Sequence, residues 1–516
     1  MNRNHVHYFI QFSLLLLLLL GILLQGLTHF FELKPLNGVT NPTTKVDLSQ
    51  KTYFDGSYQH YLEQYAKQHT GFRECLIRLY NQYLWDCFKQ TQVESIVVGK
   101  DDYIYNKDHV NDYMGTYWQG FADSREQLYD RLQAEAVRIY KVQEILASYG
   151  KHLFVVIEPG KANVYPEHLP KQVKQPLGNV TAADIYPILF DSLGVNYIDF
   201  NKLFQEAKDT VPYQLFPRSG THWSNIAALH AADSILRYMA WLGNRALPTL
   251  AIDASLYDTV MQPDNDLEEL LNLARPLRGA SYQYAPFKIV TDTDAYRPTL
   301  LTVGDSYFWN ISYHIPLDSI FSRHPFWYYN STVFYDPDNH STYDLNYTQQ
   351  LINTDYVMVS YSTANLYSMS NYFSSKALVN LCYDKTEVNR AIDQIVNEID
   401  NNPEWTALIQ QKADAEGTSL EIKKLKEAEY FLYANAEKYF PTLNDSLPAQ
   451  RNQMLGLCQP DNPMGDILRN MLNDPTWMNH LRQKAQEKQL DLETVMVEDA
   501  QWMLKASAGH AAPQND

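Results

Sequence analysis

Two short segments of this chain carry residues that can do chemistry together. Leu300-Leu301-Thr302-Val303-Gly304-Asp305-Ser306-Tyr307 is a β-rich apolar run ending in a Gly-Asp-Ser corner, and Gly220-Thr221-His222-Trp223 precedes it, with His222 and Ser306 separated by 306 − 222 = 84 positions. The corner can present the Ser306 hydroxyl at the carboxyl end of a buried strand. A serine attacks an acyl carbon poorly until a base takes its proton in the transition state. Ser306 is therefore the candidate nucleophile and His222 the candidate base, with Asp305, Thr221, Trp223 and Tyr307 as supporting neighbours. Each motif alone also has a plain structural reading. Gly-Asp-Ser is a common turn, and a His-Trp pair can simply staple a helix to a sheet.

The elements that must position these groups are legible in the hydrophobic spacing. Apolar strand runs at residues 93–99, 103–105, 152–157, 196–200 and 300–304 alternate with helical segments at 124–149 and 182–193. In the first of these helices Leu128, Leu132, Ala136, Ile139, Val142, Ile145 and Leu146 recur at three- and four-residue steps, and Gly150 follows as a stop. Ser224 can cap a helix through Ala227, Leu229, Ala232, Ile235, Leu236 and Met239, which places His222 at a helix amino terminus. Helical spacing also runs from 58 to 89. Residues 332–335 and 356–360 read as the last strands, and 336–348 as an exposed loop between them. Such alternation predicts an α/β layered fold with a mostly parallel sheet, in which sites gather outside the carboxyl ends of the strands.

The flanking segments sharpen the reading. Val98-Gly99-Lys100-Asp101-Asp102-Tyr103-Ile104-Tyr105, Phe154-Val155-Val156-Ile157-Glu158-Pro159-Gly160-Lys161 with Tyr165-Pro166-Glu167-His168-Leu169-Pro170, and the two motifs above follow one another in order. Over residues 55–365 this pattern resembles the alginate O-acetyltransferase family of bacterial periplasms. The resemblance implies a permuted SGNH-hydrolase-like, three-layer αβα domain whose Ser-His-Asp triad moves acetyl groups onto an exported polysaccharide. It makes Ser306 the nucleophile and His222 the general base. It also implies a membrane-bound O-acyltransferase as acetyl donor. Lys161, in the most specific motif, reads as a contact to an anionic sugar or as a shaper of its own loop. One position departs from the family: the triad aspartate two residues before the histidine is Gly220. Disabling that role in a serine protease costs roughly 10⁴ in rate. A backbone carbonyl can orient His222 instead, or one of Asp305, Asp209 and Asp233. The alternatives are a catalytically inactive glycan-binding or assembly protein of the same fold, or an acetyl esterase that uses water as acceptor.

Length and charge bound the remaining classes. With 516 residues and a net charge of −18, the chain is long for one domain and carries no dense basic run, which argues against nucleic acid as a partner. Its 38 tyrosines and nine tryptophans suit sugar rings as well as ordinary packing. Residues 8–31 are almost wholly apolar, with seven consecutive leucines from Leu14 to Leu20, enough to cross a bilayer. No small-x-small cleavage site follows, so residues 1–31 read as an uncleaved, single-pass signal-anchor in the inner membrane. Arg3 lies before it, which places the main domain in the periplasm.

Residues 32–54, with Pro35, Gly38 and Pro42, then form a linker to a domain over 55–384. A helical module over 385–506 holds an internal repeat: Asn402-Pro403-Glu404-Trp405 recurs as Asp474-Pro475-Thr476-Trp477, an offset of 475 − 403 = 72. Residues 507–516 read as a disordered tail. Cys75 and Cys87 lie too far apart along one helix to bond, Cys382 and Cys458 can pair, and the expectation for all four is burial as small side chains. No Cys-x-x-Cys or His-Glu-x-x-His spacing occurs, so neither a metal nor another cofactor is expected.

Overall fold

The computed structural model describes residues 3–38, 43–173, 180–253, 255, 257–258, 263–277, 282–291, 296–441, 443, 467, 471, 475–488 and 492–509. The chain divides into two compact units. The first comprises residues 1–107, 218–221 and 264–281, the second the remainder.

In the first unit the apolar helix Arg3–Thr28 is long and apolar enough over Val6–Thr28 to cross a membrane. Its carboxyl end packs backbone to backbone on a turn at Gly71. A Cβ on Gly71 would lie 2.0 Å from the Ile22 carbonyl oxygen, and one on Gly26 would lie 2.7 Å from that of His69. This contact falls inside the stretch of helical spacing over 58–89, at the start of the part that holds Cys75 and Cys87 on one helix. The chain forms Ser57–Gln68 and Arg73–Phe88 there, with Phe72 left-handed at φ 59° and the turn between them carrying the close approach at Gly71. The segment after the apolar helix is held as well. Arg78 donates to the Lys34 and Pro35 carbonyls at 2.9 and 2.7 Å. The antiparallel strands β1 (Ile96–Val98) and β2 (Ile104–Asn106) close a small core of Trp85, Ile96, Ile104, Leu267 and Leu271.

The second unit is built on a six-stranded sheet. Its strands are β3 (His152–Glu158), β4 (Tyr197–Asp199), β9 (Leu300–Gly304), β10 (Phe326–Tyr328), β11 (Thr332–Phe334) and β12 (Tyr356–Ser362), in the order β11-β10-β9-β12-β3-β4. Every pairing is parallel except β10 with β11. Two small antiparallel ladders, β5 (Thr249–Ile252) with β8 (Phe287–Val290) and β6 (Tyr257–Asp258) with β7 (Gln283–Tyr284), lie outside it. Alternation along the strands sends side chains to two helical layers. Leu153, Val155, Ile157, Leu301, Val303, Val357 and Val359 join the core of helices Arg125–Ser148, Ala182–Leu193 and Phe373–Cys382. On the other face Leu300 and Met358 meet Ala232, Ile235 and Leu236 of helix Asn225–Leu242. The α/β fold with a mostly parallel sheet is thus present, and the helix starts fall where local cap chemistry put them. Ser124 accepts from Gln127 N–H at 3.1 Å and Ser224 from Ala227 N–H at 3.2 Å.

Two expectations need adjustment here. The stretch 336–348 is exposed at Pro337, Asp338, His340, Asp344 and Asn346, as expected of a surface connection, but it is anchored: Thr342 is buried, Asp336 takes Arg323 at 2.6 Å, and Asn346 caps the helix Tyr347–Ile352 with Tyr347 buried. Cys87 and Cys382 are exposed rather than buried, because each lies on the open side of its helix, and Cys458 falls outside the described residues.

The repeat is visible as two helix pairs, Pro403–Glu416 with Leu420–Ala434 and Pro475–Lys488 with Leu492–Gly509. Equivalent ion pairs recur in both, Lys412 with Glu427 and Lys484 with Asp499. Ile409, Ala428 and Leu432 of the first pair join the main core. Leu481, Ala485, Val495 and Met496 of the second form a smaller one. Residues 507–509 of the expected disordered tail instead end the helix Leu492–Gly509, and residues 510–516 lie outside the described residues.

Candidate active site

The apolar sequence of β9 explains where Ser306 stands. All five residues of the strand are buried, so the chain can leave the sheet only at its carboxyl end, where Asp305 and Ser306 form the corner before helix Phe308–Ser312. Gly304 is required at this exit. A Cβ there would lie 2.5 Å from the Ser360 carbonyl oxygen of the adjacent β12. Gly304→Ala is expected to cost about 1–3 kcal/mol through strand displacement. Chemical denaturation checks this, and an unshifted midpoint would refute the close approach.

His222 reaches the same point from a different element. The Ser306 hydroxyl lies 2.8 Å from His222 Nε2, the distance of a hydrogen bond that delivers a serine proton to an imidazole. The histidine is 8% exposed and its ring stands edge-on to Tyr307, with centroids 4.8 Å apart. Trp223 holds the two motifs together. Its indole N–H donates to the Tyr307 carbonyl at 3.1 Å, and its own carbonyl accepts from Asn310 Nδ2 at 3.0 Å. The ring is fully buried against Phe200, Phe204 and Tyr307.

The loop before the histidine is fixed from below. Ser224 N–H donates to the Leu215 carbonyl at 2.8 Å, and Leu215 N–H donates to the Tyr165 hydroxyl at 3.0 Å. Tyr165 opens the Tyr-Pro-Glu block, so the first residue of that motif supports the histidine segment. Lys161 is only 2% exposed, in the turn Lys161–Val164, and presents no ammonium at the surface for a sugar. Thr221 uses its N–H on Asp266 at 2.7 Å, within the first unit.

The acids near His222 in sequence are placed as follows. Asp305 is fully buried, and its carboxylate accepts from Tyr307 N–H at 3.0 Å, Ser362 N–H at 2.9 Å, Ser362 Oγ at 2.7 Å and Asn365 Nδ2 at 2.7 Å. It therefore fixes the corner to the end of β12 and not the imidazole. Asp233 is engaged by Arg237 and by Leu250 N–H, both at 2.7 Å, and Asp209 is exposed. The groups that the sequence alone did not single out are Ser360, Ser362 and Asn365, which meet the corner only through strand register. Glu158 is a further one. Burial, followed by the charge of Asp305, pushes its carboxyl well above the usual range. Among the described residues no cluster of His, Cys, Asp and Glu is placed to hold a metal ion.

Chemically, this arrangement is a serine hydroxyl poised on a histidine nitrogen at the carboxyl edge of a parallel sheet. The stretch 96–308, which contains both residues, matches the family described as SGNH hydrolase-like domain, acetyltransferase AlgX. Similar solved structures include the O-acetyltransferase domain of Pseudomonas putida AlgJ, at 17% identity and a TM-score of 0.36, with 57% of this chain and 98% of that one covered. Pseudomonas aeruginosa AlgX is 13% identical with a TM-score of 0.30, and the match spans 52% of this chain and 55% of that one. Bacillus cereus PatB1, solved with a sulfonyl adduct, is 14% identical with a TM-score of 0.32, with 53% and 97% covered. No curated protein sequence matches the chain.

Proposed function

From the premise that this chain carries an SGNH hydrolase-like domain of the AlgX acetyltransferase type, we propose that it is a membrane-anchored O-acetyltransferase that transfers acetyl groups to an exported polysaccharide through an acyl-serine. The observation that carries this reading is the 2.8 Å contact between Ser306 Oγ and His222 Nε2. In the first half-reaction Ser306 Oγ attacks the acetyl carbonyl carbon while His222 Nε2 takes the hydroxyl proton. The donor's leaving group then departs with that proton. In the second, a sugar hydroxyl gives its proton to the same nitrogen and attacks the acyl carbon, and the proton returns to Ser306 as the new ester leaves. The backbone N–H of Ser306 is a candidate donor to the oxyanion. The acetyl donor is proposed to be a membrane-bound O-acyltransferase, with the helix Arg3–Thr28 keeping this chain in the inner membrane and the second unit in the periplasm.

Intact mass spectrometry of the full-length protein in detergent, after exposure to an activated acetyl ester, tests the reading. An acetyl adduct mapping to Ser306 is expected, absent from Ser306→Ala and His222→Ala. No adduct, where a related active enzyme is labelled, would leave a non-catalytic glycan-binding protein, the reading that Gly220 in the aspartate position favours. Product analysis with and without an oligosaccharide acceptor separates a transferase from an esterase.

A further inference from the structure

Two strand ends meet behind Ser306. Glu158 closes β3 and Asp305 follows β9, and β12 runs between them with Ser362 opposite Glu158 and Ser360 opposite Gly304. Both carboxyl groups are 0% exposed. They differ in their partners. Asp305 accepts four bonds from N–H and O–H donors. Glu158 accepts one, from the Ser360 hydroxyl at 2.5 Å on Oε1. Its Oε2 is buried with no donor facing it, yet the side chain lies within hydrogen-bonding reach of Asp305. Two ionised carboxylates in contact without solvent are strongly disfavoured, whereas a carboxylic acid beside a carboxylate makes a strong charge-assisted bond. The partner lists decide where the proton sits. Asp305 is surrounded by donors and needs none of its own, while Glu158 Oε2 has only an acceptor to meet.

We propose that Glu158 holds one proton and donates it to Asp305, and that this buried carboxyl–carboxylate bond positions the corner presenting Ser306. The pair stands on its own geometry, and its consequence for turnover rests on the reading of Ser306 as nucleophile. Glu158 is then a positioning residue: it acts through Asp305, whose other bonds tie the backbone of Tyr307 to β12. The remaining titratable groups around the pair are Tyr328, Tyr329 and Tyr361, all driven upward by burial, Asp199 at the end of β4, raised by burial to about 6, Lys161 and His222.

The sign of the pH effect follows from the raised carboxyl. Its stabilising contribution is complete below the ordinary value of 4.5 and is lost as pH rises toward the folded-state value. Glutamine keeps a neutral donor in the same place and has no proton to lose. The melting temperature of Glu158→Gln minus that of the unaltered protein is therefore expected to increase steadily from about pH 5 to about pH 9. The same subtraction cancels Asp199 and the other groups. A difference that stays flat with pH overturns the proposal. Where Ser306 is catalytic, the alkaline limb of acetyl-ester turnover that ionisation of Glu158 causes is expected to disappear in Glu158→Gln, with neutral-pH turnover kept within about threefold. An unchanged limb also overturns it. Asp305→Asn, which removes the repelling charge and leaves the burial, is expected to reduce the pH trend of the parent without abolishing it, and an undiminished trend counts against the pair. The melting series needs no turnover, so a persistent trend in a protein that never acylates would keep the carboxyl pair while the nucleophile reading falls.

Discussion

Ser306→Ala is expected to lower turnover of a chromogenic acetyl ester by roughly 10⁴-fold or more, and adding His222→Ala is expected to cost nothing further. The reason is that the two groups act in one step of the proposed mechanism. With the hydroxyl gone, the imidazole has no proton to accept, and with the imidazole gone, the hydroxyl attacks as a neutral alcohol. Residues that work as a unit lose their combined effect on the first removal. His222→Ala alone is expected to cost about 10² to 10⁴, the usual contribution of a general base. Steady-state kinetics on the two single variants and the double variant decides the matter. Multiplicative losses would mean that the 2.8 Å contact is not the working pair, and full turnover in Ser306→Ala would sink the acyl-serine mechanism. Gly220 makes this measurement more informative. An imidazole without an aspartate at that position is held by its surroundings, and the size of the His222→Ala loss reports how well they do so.

The second large effect concerns the brace between the motifs. Trp223→Ala is expected to destabilise the protein by about 3–5 kcal/mol, the range for deleting a buried aromatic side chain. It should also lower kcat at temperatures where the variant is folded, with KM little changed, because the indole N–H that pins the Tyr307 carbonyl is lost with the ring. Trp223→Phe separates the two contributions. It keeps most of the apolar contact with Phe200 and Phe204 and gives up the hydrogen bond, for about 0.5–1.5 kcal/mol. A kcat in Trp223→Phe equal to the parent, with only stability reduced, would show that packing alone holds His222 on Ser306.

Local chemistry was the part of this architecture legible in the chain. Ser224 announces its helix because a cap bond spans three residues, and Leu300 to Gly304 reads as a strand because it is a β-rich apolar run. The same locality singled out Ser306 and His222 as candidates, one just after a strand and the other just before a helix. What escaped depends on partners distant in sequence. The close approach at Gly71 is made with Ile22 and Gly26 of another helix. Strand β10 is three aromatic residues long, too short for any period to show. Tyr165 gains its role from Leu215, and Glu158 from Asp305, through register and packing that no spacing rule encodes. The acid missing at Gly220 could be noticed in sequence. That Asp305 is committed to Ser362 and Asn365 could not.

The order of the main sheet carries a consequence for how the site comes into being. Its most buried strand, β12, is the last to be synthesised, yet it lies between β9 and β3 and is hydrogen-bonded to both along most of its length. Without residues 356–362 no strand joins the pair β3 with β4 to β9 and its neighbours, so the sheet cannot close. Pairings this distant in sequence form late and slowly. Ser362, which anchors Asp305 behind Ser306, is the final residue of that strand. The corner at Ser306 therefore has its support only with the last strand in place, and a chain cut short before that point has Ser306 and His222 without the frame that aligns them.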